Sequence, residues 1–135
     1  MFDTKIAVVL RNDLASWQAL NVTAFLMTGI VAQNPGIIGR PYVDRSGNTF
    51  NALSVQPMIV LSADQETIRK INLRALDRGM VTSAYIEEMF STGHDDANRE
   101  VFAQFAADDA RLVGLALRAE KKVVDKITKG ASMHQ

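Results

Sequence analysis

Three short apolar runs set the limits on what this chain can fold into. Ile6 to Leu10, Met58 to Leu61 and Leu112 to Leu117 are nearly unbroken aliphatic stretches. Each is too short for a buried helix and suits a strand covered on both faces. Between them the apolar residues change to helical spacing. Leu20, Ala24, Met27 and Val31 mark a helix from Ser16 to Val31, with Asp13 or Ser16 as its cap and Asn34-Pro35-Gly36 as its stop. Ile68, Ile71, Ala75 and Leu76 mark a second helix, with Arg69, Lys70, Arg74 and Asp77 on the opposite face. Ser62-Ala63-Asp64-Gln65 ahead of it reads as a capping box with Ser62 as N-cap. Gly79 stands where a left-handed residue closes a helix.

The remaining segments complete the pattern. Met80 to Ile86 reads as a strand, Asp95 to Phe105 as a short helix or turn, and Glu120 to Thr128 as a last helix packing through Val123, Val124 and Ile127. Leu112 to Leu117, the most apolar run, is expected at the centre of the sheet. Tyr42-Val43 and Thr49-Phe50 flank Asp44-Arg45-Ser46-Gly47-Asn48, a hairpin with a five-residue turn in which Gly47 supplies the positive φ. It is expected on the edge of the sheet or over one end of it. Strands alternating with helices specify an α/β fold. The expectation is a single domain over residues 1–135, a three-layer sandwich with a four-stranded, mostly parallel or mixed sheet and helices on both faces.

Composition excludes several functions. The 135 residues include no cysteine, so disulfides, thiolate metal sites and a cysteine nucleophile are absent. Fifteen basic and fifteen acidic residues cancel, which speaks against a dedicated nucleic-acid surface. The N-terminus Met1-Phe2-Asp3-Thr4-Lys5 lacks the form of a signal peptide, and no apolar run approaches the ~20 residues of a membrane span. A cytoplasmic location without membrane attachment is expected. Histidine occurs only at His94 and His134, with no metal-ligand spacing, and there is neither a glycine-rich phosphate loop nor a G-x-S-x-G elbow. No metal and no cofactor are expected.

In sheets of this kind, sites form where chain leaves the strand ends. Three segments qualify: Arg11 to Asn21, Glu87 to Asn98, and Arg118 to Lys122. Asn21 and Thr23 are polar residues in an apolar helix. Thr23 is read as bonding locally or facing solvent. For Asn21 two readings stand: a local hydrogen bond or a place facing solvent, or a pocket one turn beyond Trp17-Gln18. Glu87 and Glu88, adjacent at a strand end, are expected to point to opposite faces. His94 beside a carboxylate has the makings of a general base, whereas Thr92-Gly93-His94-Asp95 also reads as a helix start. Asp13, Asn21, Glu88, Thr92 and His94 are the candidate site residues.

The arrangement of motifs resembles peptidyl-tRNA hydrolase 2. Arg11-Asn12-Asp13-Leu14 matches that family's run after the first strand, and Ile86 to Thr92 its motif after the third. Val113-Gly114-Leu115 and Val123 to Gly130 match its last strand and helix. A closer resemblance is to an uncharacterised bacterial family of the same fold, the domain of unknown function two-thousand family. It is carried by Trp17 to Phe25, Ser91 to Asp95 and Leu112 to Lys126. The hydrolase resemblance places Glu88 at the family's aspartate and Thr92 at its threonine. Its lysines after the first strand are replaced by Ala15-Ser16-Trp17, and Ala24 stands near its glutamine. Losing those cations removes substrate attraction and transition-state stabilisation together. The first reading is therefore a pocket for a small molecule or peptide at the strand ends. Peptidyl-tRNA ester hydrolysis, with tRNA as partner, is disfavoured. The third reading is a homodimeric module, which calls for an exposed apolar patch.

Overall fold

A computed structural model describes residues 2–135. Its core is a five-stranded mixed sheet in the order β5-β6-β1-β4-β7. The strands are β1 (Thr4–Arg11), β4 (Met58–Ala63), β5 (Ser83–Ile86), β6 (Leu112–Glu120) and β7 (Ser132–Met133). Only β1 and β4 pair in parallel; β1–β6, β5–β6 and β4–β7 are antiparallel. The sheet is thus mixed and mainly antiparallel, with five strands rather than four. The fifth is β7, which pairs Leu61 with Met133 and is held further by His134 N–H donating to Val60 O at 3.0 Å. Two residues give too little periodicity to mark a strand in the sequence.

Side chains alternate across β1. Ala7 and Val9 enter one core, where α2 (Gln65–Asp77) supplies Ile68, Ile71 and Ala75, and α4 (Lys121–Ile127) supplies Val124 and Ile127. Ile6, Val8 and Leu10 enter the other, under α1 (Ser16–Gln33). Helices therefore cover both faces. The expectation that β6 lies at the centre fails: β1 takes that place because it alone pairs with both β4 and β6. The burial argument still holds, since Leu112 to Leu117 are all buried between the two helical layers.

Two helix readings need correction. In α1 the core face is Ala19, Val22, Leu26 and Ile30. Of the expected stripe Leu20-Ala24-Met27-Val31, Met27 and Val31 pack at the margin of this core, while Leu20 and Ala24 face out, Leu20 being 72% exposed. A helix that is apolar on more than one side offers the sequence several stripes, and only packing selects among them. Neither Asp13 nor Ser16 caps it; Ala15 is the N-cap, and its N–H donates to Gln18 Oε1 at 3.0 Å. In α2 the N-cap is Asp64 rather than Ser62, because β4 runs on through Ala63. Gly79 has the expected positive φ, 66°.

Asp64 Oδ1 accepts from Thr67 N–H at 2.8 Å, and the hydrogen bonds from Thr67 hold its carboxyl below the usual aspartate range. A carboxylate lowered in the folded state stabilises above its unfolded pKa and loses that contribution as pH falls through the folded one. Asp64→Ala therefore lowers the thermal midpoint by a few degrees at neutral pH, and the deficit shrinks below the ordinary aspartate pKa of ~3.9. Melting curves from pH 7 to pH 3 check this. A deficit independent of pH would show that the cap works through neutral contacts alone.

The hairpin of β2 (Tyr42–Val43) and β3 (Thr49–Phe50) forms where the sequence places it, with Gly47 at φ 86°. The Asp44 carboxylate accepts from Ser46 N–H, Asn48 N–H and the Asn48 amide, and these bonds lower its pKa, the one from Asn48 most. It is a separate two-stranded sheet, not an edge of the main one, and residues 40 to 51 are all exposed.

Candidate functional site

The strand ends carry two polar assemblies, and the structure divides the five candidate residues between them. The first is a chain of ion pairs. Arg11 closes β1, Glu87 follows β5 and Arg111 precedes β6. Because β5 and β6 are antiparallel, Glu87 N–H reaches Arg111 O at 3.0 Å, so both side chains emerge at one corner. Arg11 Nε meets Asp13 at 2.5 Å, and Arg11 Nη1 meets Glu87 at 3.2 Å. Arg111 lies 3.7 Å from Glu87 and 2.8 Å from Glu88.

The expected opposition of Glu87 and Glu88 does not occur. The chain turns into a 3-10 helix at Glu87–Ser91, and strand alternation ends there, so both carboxylates reach the same arginine. Burial opposes the charge on Arg11, yet hydrogen bonds to Asp13 and Glu87 outweigh it and raise its pKa; Glu88 does the same for Arg111. Three carboxylates thus share two guanidiniums. Glu88 Oε1 is buried without a hydrogen-bond partner. Asp13 is held here as a counter-ion of Arg11, and Glu88 as one of Arg111 through its Oε2.

The second assembly is a groove of about 340 Å³ between α1, the 3-10 helix and α3 (Asp95–Phe102). It brings together Asn21, Thr92 and His94, along with Asn98 and Asp95. Its wall is aromatic. Trp17 packs edge-on to Phe90 with centroids 5.8 Å apart, Phe90 lies 5.2 Å from Tyr85, and Tyr85 lies 6.1 Å from Phe25. Burial raises the Tyr85 pKa. Past Phe25 and Tyr85 the groove runs on into a cleft of about 720 Å³ between α1, β5 and α3.

Each polar residue in the groove has a local duty. His94 is the N-cap of α3, and its Nδ1 accepts from Ala97 N–H at 3.2 Å. That role leaves the proton of the neutral ring on Nε2, so His94 presents a donor rather than a base. The carboxylate expected beside it, Asp95, is paired with Arg99 at 2.8 Å. Thr92 Oγ1 donates to Met89 O at 2.9 Å and touches Asn98 Oδ1. One hydroxyl proton serves one acceptor; with the Asn98 amide reversed, its N–H supplies the other bond. Asn21 is exposed on α1 and lines the groove, so it both faces solvent and borders the concavity. Thr23 donates to Ala19 O at 2.8 Å, the local bond expected of it.

The third segment does not join either assembly. Arg118 donates to Gln56 Oε1 and Asn34 Oδ1, both at 3.0 Å, and ties β6 to the loops at the other end of the sheet. The aromatic wall was missed in the sequence. A signal existed, since Trp17, Asn21 and Phe25 are spaced by four and so lie on one flank of a helix. Tyr85 and Phe90 come from other elements and carried none. Among the described residues no group of three His, Asp or Glu side chains gathers to hold a metal ion, and no helix is long and apolar enough to cross a membrane.

The mixed five-stranded sheet, its helical layers and the aromatic groove at the strand ends define an α/β protein with a concave, partly polar surface. The chain belongs to the family described as protein of unknown function (DUF2000), whose model matches residues 4–135. It is similar to a solved protein of unknown function from Agrobacterium tumefaciens strain C58, with 64% sequence identity, a TM-score of 0.99 and full coverage of both chains. No curated protein matches it.

Proposed function

We propose that the groove between α1 and α3 binds a small organic molecule, or one side chain of a peptide, with a flat apolar part and a polar edge. The observation that carries this is the aromatic wall. Trp17 and Phe25 remain 62% and 57% exposed while touching the ordered rings of Phe90 and Tyr85. Large rings left wet beside an open concavity gain most from a ligand that covers them. Asn21, the His94 Nε2 proton and Asn98 would meet the polar edge. The groove and its continuation fall within the ~300–1,000 Å³ typical of ligand pockets.

Trp17 is the single tryptophan and lies in the wall, so its emission reports occupancy directly. Screening aromatic acids, amides and short peptides is expected to shift that emission saturably. Asn21→Ala and His94→Ala are expected to weaken the hit about tenfold each, one polar contact being worth roughly 1.4 kcal/mol. A hit whose affinity survives both substitutions would refute the assignment.

Peptidyl-tRNA hydrolysis, on a peptidyl-tRNA hydrolase 2-like sandwich, is supported less. Glu88 and Thr92, the residues that resemblance would use, do not line one cavity. Glu88 is tied to Arg111, and Thr92 closes the turn after Met89.

A further inference from the structure

Leu20 and Ala24, on the outer side of α1, are exposed within one protomer. The helix has no charged residue in its 18 positions, although half of its surface faces out. It packs on β1, β5 and β6, and leaves β4 and β7 on that side of the sheet without a helix. The strip between forms a groove of about 520 Å³, walled by Leu20 and Ala24 and floored by Met58, Val60 and Met133. No lysine, arginine, aspartate or glutamate lines it. Depletion of charge in an exposed apolar strip is the composition of an interface core.

A second unpartnered surface lies on the β2–β3 hairpin. Its turn is firmly built around Asp44, but Tyr42, Val43 and Phe50 are 54 to 65% exposed. A lone two-stranded hairpin is marginal in water unless its side chains pack against something.

We infer that these two surfaces cover each other between two copies of the chain: the hairpin of one protomer lies in the α1–β4–β7 groove of its partner, and the reverse, about a two-fold axis. Every chain carries both halves, so a two-fold axis makes each contact twice and leaves neither half exposed. The hairpin strands Tyr42-Val43 and Thr49-Phe50 are as free of charge as the groove, and the formal net charge of zero removes general repulsion between copies. Leu20, Met58, Met133, Tyr42, Val43 and Phe50 are 43 to 72% exposed, which for side chains of this size is on the order of 650 Å². With the backbone around them they approach the ~800 Å² per partner of a standard interface.

The chain has no cysteine, so engineered thiols report only the designed contact. Light scattering of the wild type is expected to give twice the chain mass. Leu20→Glu and Phe50→Asp, both at exposed positions, are each expected to give a folded monomer by circular dichroism and scattering. Mixing Leu20→Cys chains with Phe50→Cys chains is expected to yield a disulfide-linked heterodimer under mild oxidation. A wild type that stays monomeric up to several hundred micromolar overturns the inference. So does a dimer that persists in both charge variants, or one that fails to crosslink. Leu20 and Phe50 lie outside the aromatic groove, so such a failure would leave the ligand reading untouched.

Discussion

Leu115→Ala is expected to lower the unfolding free energy by about 3 kcal/mol, within the ~2–5 kcal/mol range for emptying a fully buried leucine site. Leu115 is wholly buried on β6, facing the core formed with α2 and α4. The strand is hydrogen-bonded on both sides and covered on both faces, so the backbone cannot collapse into the space left behind. The loss comprises transfer of the missing carbons and the cavity that remains. Against a total of about 5–15 kcal/mol for a domain, it is large. Urea unfolding of both proteins, with unchanged m-values, measures it. A loss under about 1 kcal/mol would mean that this core relaxes freely, and the rigid picture of β6 would fall.

Gly114→Ala is expected to cost about 2 kcal/mol by the opposite route, overpacking. A Cβ at Gly114 would stand 2.6 Å from Val22 Cγ1 and 3.0 Å from Leu26 Cδ1, under the core face of α1. The strand slips register here, with Tyr85 opposite Gly114 and Ile86 opposite Leu112, which turns both Val113 and Gly114 toward α1. Glycine in a strand interior marks such a close approach. The clash also pushes α1 outward, and with it Trp17, Asn21 and Phe25, so tryptophan emission should change along with stability. Val22→Ala in the same chain removes the nearest methyl and should restore more than half of the loss. Double-mutant stabilities without that coupling would show that α1 already yields to a methyl group.

The second effect concerns how α1 meets the sheet, and that contact is the least legible in the sequence. The apolar runs that become β1 and β6 were legible because burial on both faces leaves an unbroken mark; β4 carries the same mark although Met58 is exposed and the α1 side of the strand has no helix over it. The hairpin was legible to the residue, because Asp44 and Gly47 act on their immediate neighbours. The side of α1 that faces inward was not, because Leu20-Ala24-Met27-Val31 is as regular as the stripe that is buried. Asn21, Thr92 and His94 line one groove because the segments that carry them leave β1 and β5 at the same end of the sheet. Asp13 and Glu88 lie apart from them, in ion pairs the sequence does not mark, because their partners Arg11 and Arg111 stand 100 residues apart and meet only through strand pairing.

The sequence alone determined the class of fold, the absence of thiol chemistry, the turns and the identity of the buried strands, all of which depend on local pattern or on composition. Tertiary structure decided the strand order, the fifth strand, the working face of α1, the ion-pair chain and the aromatic groove. Each of those depends on which distant surfaces come together, and the energy of that choice is shared among residues that carry no mark of one another along the chain.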